Sequence, residues 1–129
     1  MSILRSPVLV LDTETTGFPR NSYARIWDLG AVLLGVDGQI LEEWQQVIIP
    51  DPLDDRANEA LKIGGVTQEW IRDHGVSETA AVNYWNAFLY RIGPVKCTAF
   101  NIGFDRPMME RCGLANSLQW GPCLMRLAQ

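Results

Sequence analysis

With 129 residues, 47% of them hydrophobic and 20% charged, the chain has the apolar material for one domain with a core of its own, expected to run over 1–129. This is the balance of a globular rather than a disordered chain, and no apolar run approaches the roughly 20 residues that span a bilayer. The net charge of −4, with no basic run, excludes a protein that grips nucleic acid by surface charge alone, since Lys and Arg on phosphates supply that affinity.

The first six residues lead straight into an apolar run and lack the long apolar region of a signal peptide. Cys97, Cys112 and Cys123 are odd in number and show no zinc-ligand spacing, as expected of reduced thiols in a cytoplasmic protein. The run that begins at Val8, just after Pro7, reads as a buried strand, yet it ends on Asp12 and Glu14. Residues two apart on a strand share a face, with Cα atoms roughly 6.5–7 Å apart. Two carboxylates so placed repel each other and lose hydration. A polar turn leading into Thr15-Thr16-Gly17 is one reading of the pair; a Mg²⁺ or Mn²⁺ ion held between hard oxygen ligands is the other.

Residues 18–24 form a polar connection. Residues 25–36 and 39–49 read as two strands joined by an Asp37-Gly38 hairpin turn, the second suited to a sheet edge. Together with the first strand they make three antiparallel strands. After Pro50-Asp51-Pro52 comes a short helix over 54–63, with Ala57, Ala60 and Leu61 inward and Gly64-Gly65 as breaker. Thr67 caps a helix over 68–73, and Ser77 caps a stronger one with Val82, Trp85, Leu89 and Ile92 as its core stripe. Residues 95–100 form a fourth strand and 104–112 a helix closed by Gly113; 119–123 is a short strand, and 124–129 begins a further helix. The fold class is therefore α/β: a mixed sheet, three antiparallel strands plus parallel ones, flanked by helices.

Asp105 lies where that last complete helix leaves the fourth strand. It reads either as an ordinary helix N-cap, with Pro107 in the first turn, or as a third carboxylate brought to the strand end. His74, the chain's single histidine, precedes Gly75 between two helices and reads as a capping or exposed residue.

The string Leu11-Asp12-Thr13-Glu14-Thr15-Thr16-Gly17 resembles the first motif of the DnaQ-like, or DEDD, 3′→5′ exonucleases. Asn101-Ile102-Gly103-Phe104-Asp105-Arg106-Pro107 resembles their second, and Ile63-Gly64-Gly65-Val66-Thr67 the link between them. The likeness implies an RNase H-like fold and two-metal-ion hydrolysis of a terminal phosphodiester, with ions about 3.5–4 Å apart. By the same resemblance Asp12 bridges two Mg²⁺ or Mn²⁺ ions, Glu14 binds the first, and Asp105 holds the second through water. The backbone of Thr13, Thr15 and Thr16 meets the 3′-terminal nucleotide, and Phe104 packs on its base or sugar. The implied partner is the 3′ end of single-stranded DNA or RNA, in replication, repair or RNA maturation.

The chain also departs from the family. A third motif, carrying a His or Tyr general base and a final Asp, lies on a later helix in relatives, and Gln129 comes where that helix starts. Gly64 and Phe100 stand where relatives often carry histidine. The expectation is a C-terminally incomplete domain with little or no activity alone, whose exposed sheet face favours a homodimer or a polymerase-type partner. The competing reading is a non-catalytic protein-interaction module on the same fold.

Overall fold

The computed structural model describes residues 4–121. Its strands are Val8–Thr15 (β1), Ile26–Leu34 (β2), Ile40–Val47 (β3), Lys96–Ala99 (β4) and Gln119–Trp120 (β5); its helices are Asp55–Ile63 (α1), Gln68–His74 (α2), Glu78–Ile92 (α3) and Ile102–Arg111 (α4). The strands form one sheet in the order β3-β2-β1-β4-β5. β1–β2 and β2–β3 are antiparallel, whereas β1–β4 and β4–β5 are parallel. The expected mixed α/β architecture is the one observed. Among the described residues no helix is long and apolar enough to cross a membrane.

Alternation builds the sheet. In β1 the odd positions Leu9, Leu11 and Thr13 are buried, while Asp12 and Glu14 are exposed on the opposite face. In β2 Leu29, Ala31 and Leu33 continue the buried face. That face meets Ala81, Trp85 and Phe88 of α3 and Met108 and Met109 of α4 in one apolar cluster. Trp44 of β3 completes it, its ring 5.0 Å from Trp85 and 5.8 Å from Phe88. A smaller cluster of Trp27, Leu61 and Ile71 seats α1 and α2.

Thr67 and Ser77 cap as the sequence suggests, and Asp54, expected as the first residue of α1, is its cap instead. Asp54, Thr67 and Ser77 accept from the backbone N–H of Ala57, Trp70 and Ala80, satisfying first-turn donors that have no partner within the helix. Three further expectations need correction. The α3 stripe is centred on Ala81, Trp85 and Phe88, with Val82, Leu89 and Ile92 only half-buried beside it, because Phe88 is drawn into the Trp44–Trp85 stack. Helix α4 starts at Ile102 with Asn101 as its N-cap residue, so Pro107 falls in the second turn and Asp105 is not the cap. β2, β3 and β4 are also shorter than the expected 25–36, 39–49 and 95–100, and β5 is described at Gln119 and Trp120, residues 122–123 of its expected range lying outside the described residues. Cys123 and the helix expected over 124–129 lie outside the described residues.

Trp85 is fully buried and its Nε1 donates to the Leu114 carbonyl at 2.8 Å. Trp85→Ala should therefore cost about 3–5 kcal/mol, from the cavity and the orphaned carbonyl together. Urea unfolding checks this as a lower midpoint.

Candidate active site at the end of the central strand

The sheet brings its acids together by register. Asp12 on β1 lies opposite Gly30 on β2, and Glu14 lies opposite Asp28. Gly30 contributes no side chain, so the face stays open above Asp12. Val10, Asp12, Glu14, Asp28, Val32, Glu43 and Gln45 line a groove of about 470 Å³ across β1, β2 and β3. Gln45 fixes Asp28, its Nε2 donating to both carboxylate oxygens at 3.2 and 3.1 Å.

Asp105 arrives from the far side. Because β4 runs parallel to β1, the helix that follows β4 starts at the carboxyl end of both strands. There the Thr13 hydroxyl donates to Asp105 Oδ1 at 2.6 Å, a buried bond between residues 92 apart in sequence. Asp105, 6% exposed, is thus moored to the residue that separates Asp12 from Glu14.

The electrostatics follow. Burial pushes the Glu14 carboxyl above its ordinary range, and the negative charges of Asp12, Asp28 and Asp105 add to that. Asp28 is raised by burial and by Asp12 against the opposing Gln45 hydrogen bond. Asp105 is raised by burial and by Asp12 against the Thr13 hydrogen bond. The carboxylates therefore sense one another, but they approach β1 from two sides. Among the described residues, no three or more Asp, Glu, His or Cys side chains are gathered closely enough to hold a metal ion as they stand.

The expected substrate-binding threonines have their hydroxyls engaged within the chain. Thr13 donates to Asp105, Thr15 donates to the Gly17 carbonyl at 2.7 Å, and Thr16 accepts from the Arg25 N–H at 2.9 Å. Their side chains thus shape the turn that leaves β1. Phe104 is half-buried and meets Phe18 edge to face, with ring centroids 6.3 Å apart. Phe18 is 57% exposed, with the Arg20 guanidinium 5.0 Å above its ring. His74 ends α2, stacked on Trp70 at 4.4 Å, with its Nδ1 at 2.9 Å from the Trp70 carbonyl. The buried Cys97 thiol is pushed up to about 12, chiefly by desolvation, and is no nucleophile.

Sequence reasoning missed Asp28, Phe18 and Arg20. Asp28 was legible in the period-two alternation of β2, which sets it on the face opposite Leu29 and Ala31. Phe18 and Arg20 lie in a loop, where no periodicity says which way a ring turns.

No family model matches the chain, and no curated protein sequence does. Solved structures match in shape. Escherichia coli exonuclease I in complex with a dA16 oligonucleotide superposes with a TM-score of 0.76 at 17% identity, over 96% of this chain and 29% of that one. A product-bound exonuclease I gives 0.74 at 18% identity, over 95% and 31%. Exonuclease I from Methylocaldum szegediense gives 0.72 at 16% identity, over 95% and 28%. Identity this low shows a shared fold, and the chain spans under a third of the length of these neighbours.

Glu14, Asp28 and Asp105 all titrate higher in the folded chain than unfolded. The stability they contribute is present below the ordinary carboxylate range and is lost as pH rises through their folded values. Without divalent ions, Asp28→Asn should melt above wild type at neutral pH, by no more than about 1 kcal/mol for one half-exposed cross-strand pair. The difference should shrink as pH falls through the carboxylate range and the two carboxyls take up protons; thermal melts across pH check it.

Proposed function

We propose that the chain is a 3′→5′ exonuclease-type domain of the DnaQ-like lineage, acting on the ends of single-stranded nucleic acid. The observation that carries this reading is the Thr13–Asp105 bond, which joins the second acidic motif to the middle of the first. The likeness in fold to an exonuclease I that holds a dA16 oligonucleotide supports DNA as the substrate.

The donor set suits a hard divalent cation: Asp12, Glu14 and Asp105 offer carboxylate oxygens whose mutual repulsion such an ion would relieve. Asp12 and Glu14 would hold Mg²⁺ or Mn²⁺ from the groove side, and Asp105 would do so through water. Bound there, the ions would activate a water and steady the leaving 3′-oxygen. Asp105, kept in place by Thr13, would orient a water bound to such an ion. The exposed Phe18 and the Phe104 ring against it offer faces for the terminal base, and such stacking tolerates any sequence. The turn built by Thr15 and Thr16 presents main chain to the terminal sugar. Residues 1–129 carry no counterpart of the family's third motif, so turnover by this chain should be slower by about 10²–10⁴, the usual contribution of a general base.

A second reading, a non-catalytic interaction module, is favoured by one observation: the carboxylates do not close into a ready metal cage among the described residues. Mn²⁺ titration separates the two. Saturable binding, lost in Asp12→Ala and weakened in Asp105→Asn, is expected of the exonuclease reading. A 5′-labelled single-stranded oligonucleotide should then shorten slowly from its 3′ end, and EDTA should stop it. Absence of any saturable Mn²⁺ binding favours the interaction module.

A further inference from the structure

Three main-chain carbonyls in the loop between β1 and β2 converge on one side chain from a distant helix. Arg111 Nη1 donates to the carbonyls of Asn21 at 2.8 Å and Ala24 at 3.1 Å, and Nη2 donates to the carbonyl of Pro19. The loop has bonds of its own: Thr16 N–H to the Arg25 carbonyl closes its ends, and Asn21 and Ala24 N–H bond the carbonyls of Phe18 and Asn21. These set local turns; at the loop's far end Arg25 forks onto Glu78 of α3 and the Arg56 guanidinium lies 4.8 Å from the Tyr23 ring, while Arg111 ties the 19–24 carbonyls to α4.

The docking is linear. Phe104, Met108 and Arg111 are spaced i, i+4, i+7 and so share one stripe of α4. Arg111 Nη1 passes 3.6 Å from the Met108 sulfur on its way to the loop. At the far end of the stripe Phe104 meets Phe18. The loop is therefore fixed to α4 at two points, by a guanidinium at the helix C-terminus and by a ring contact at its N-terminus, next to Asp105. We propose that Arg111 is a positioning residue: it sets the 17–25 loop so that the Phe18 ring stands against Phe104 as a platform for the substrate's terminal base. This rests on the exonuclease reading of the site. The guanidinium spreads its donors over two nitrogens of one rigid plane, Nη1 for Asn21 and Ala24 and Nη2 for Pro19; a lysine ammonium has three donors, but on a single nitrogen.

The test is a cycle on the full chain, read by anisotropy of a short 5′-fluorescein oligothymidylate with Ca²⁺ present. Arg111→Met should weaken binding about tenfold, the scale of one base–aromatic stack, and Phe18→Ala should weaken it by about the same factor. The double variant should bind no more weakly than Phe18→Ala alone, and Mn²⁺ affinity should be unchanged in both single variants. Arg111→Lys should not restore affinity. Independent, multiplying losses, or wild-type affinity in Arg111→Met, would overturn the proposal. Should Arg111→Met fail to fold, Arg111→Lys carries the same cycle. Amide hydrogen exchange supplies a readout that needs no ligand: exchange at Asn21 and Ala24 should speed up in Arg111→Lys while β1 amides keep their protection. Unchanged exchange at those two amides would equally overturn it. If the wild-type chain binds no oligonucleotide, the exonuclease reading fails instead, and exchange alone decides whether Arg111 holds the loop.

Discussion

A hydroxyl and a carboxylate, 92 residues apart in sequence, meet behind the central strand, and the geometry of the acidic end follows from that contact. Thr13 points into the core side of β1 while its two acidic neighbours point out. Its hydroxyl offers the largely buried Asp105 a partner within the chain. Left without one, a buried carboxylate would neutralise or swing to solvent, since a desolvated charge is costly unless it is hydrogen-bonded. A hydrogen bond to a charged group contributes about 1.5–3 kcal/mol, enough to select one rotamer. The N-terminal turn of α4 is thereby tied to β1, and Phe104, one residue before Asp105, is carried to Phe18.

The cost of this arrangement is electrostatic, and the fold confines it. Glu14 and Asp28 face each other across an antiparallel pair, an alignment that ordinary sheets avoid. The repulsion is eased in two ways: Gln45 donates to Asp28, and the groove between them is open to solvent rather than packed. Some charges elsewhere are matched. Arg25 forks onto Glu78, and Arg91 reaches Glu42 on the edge strand, where a charged side chain also discourages pairing with another chain. Asp12, Glu14 and Asp28 appear in none of the ion pairs among the described residues, so the end of β1 keeps its negative charge.

Much of this could be read in the chain, and what could not has a common cause. Strand alternation, the hairpin at Asp37-Gly38 and the caps Thr67 and Ser77 are local, and each appears where spacing predicts it. The misplaced features depend on contacts between segments. Helix α4 starts early, at Ile102, and its Asp105 reaches back to β1 instead of capping its own helix. The core stripe of α3 is rotated toward Phe88 by Trp44, a residue on another element. Asp28 joins the acidic group through pairing with β1, and Phe18 is oriented by a loop that an arginine 90 residues later secures. Periodicity assigns a residue to a face; it does not say which other face comes to meet it.

Register is the last constraint, and it is unforgiving. Leu9 and Leu11, 0% and 2% exposed, lock the odd positions of β1 into the core. A slip of one residue would drive Asp12 and Glu14 into that apolar cluster and expose both leucines. The slip is blocked from both sides, by an antiparallel ladder to β2 from Val8 to Glu14 and a parallel one to β4 from Val8 to Leu11. The parallel ladder stops at Leu11↔Ala99, one residue before the first acid. From there the chain beyond β4 turns into α4, and the space it vacates beside Asp12 is where Asp105 comes down on Thr13. On the other side, pairing with β2 is interrupted between Glu14 and Thr15, where the strand bends into its turn. The acids therefore occupy the short stretch of β1 that has lost one neighbour and not yet the other: rigid enough to hold the side chains in direction, open enough to admit a ligand between them.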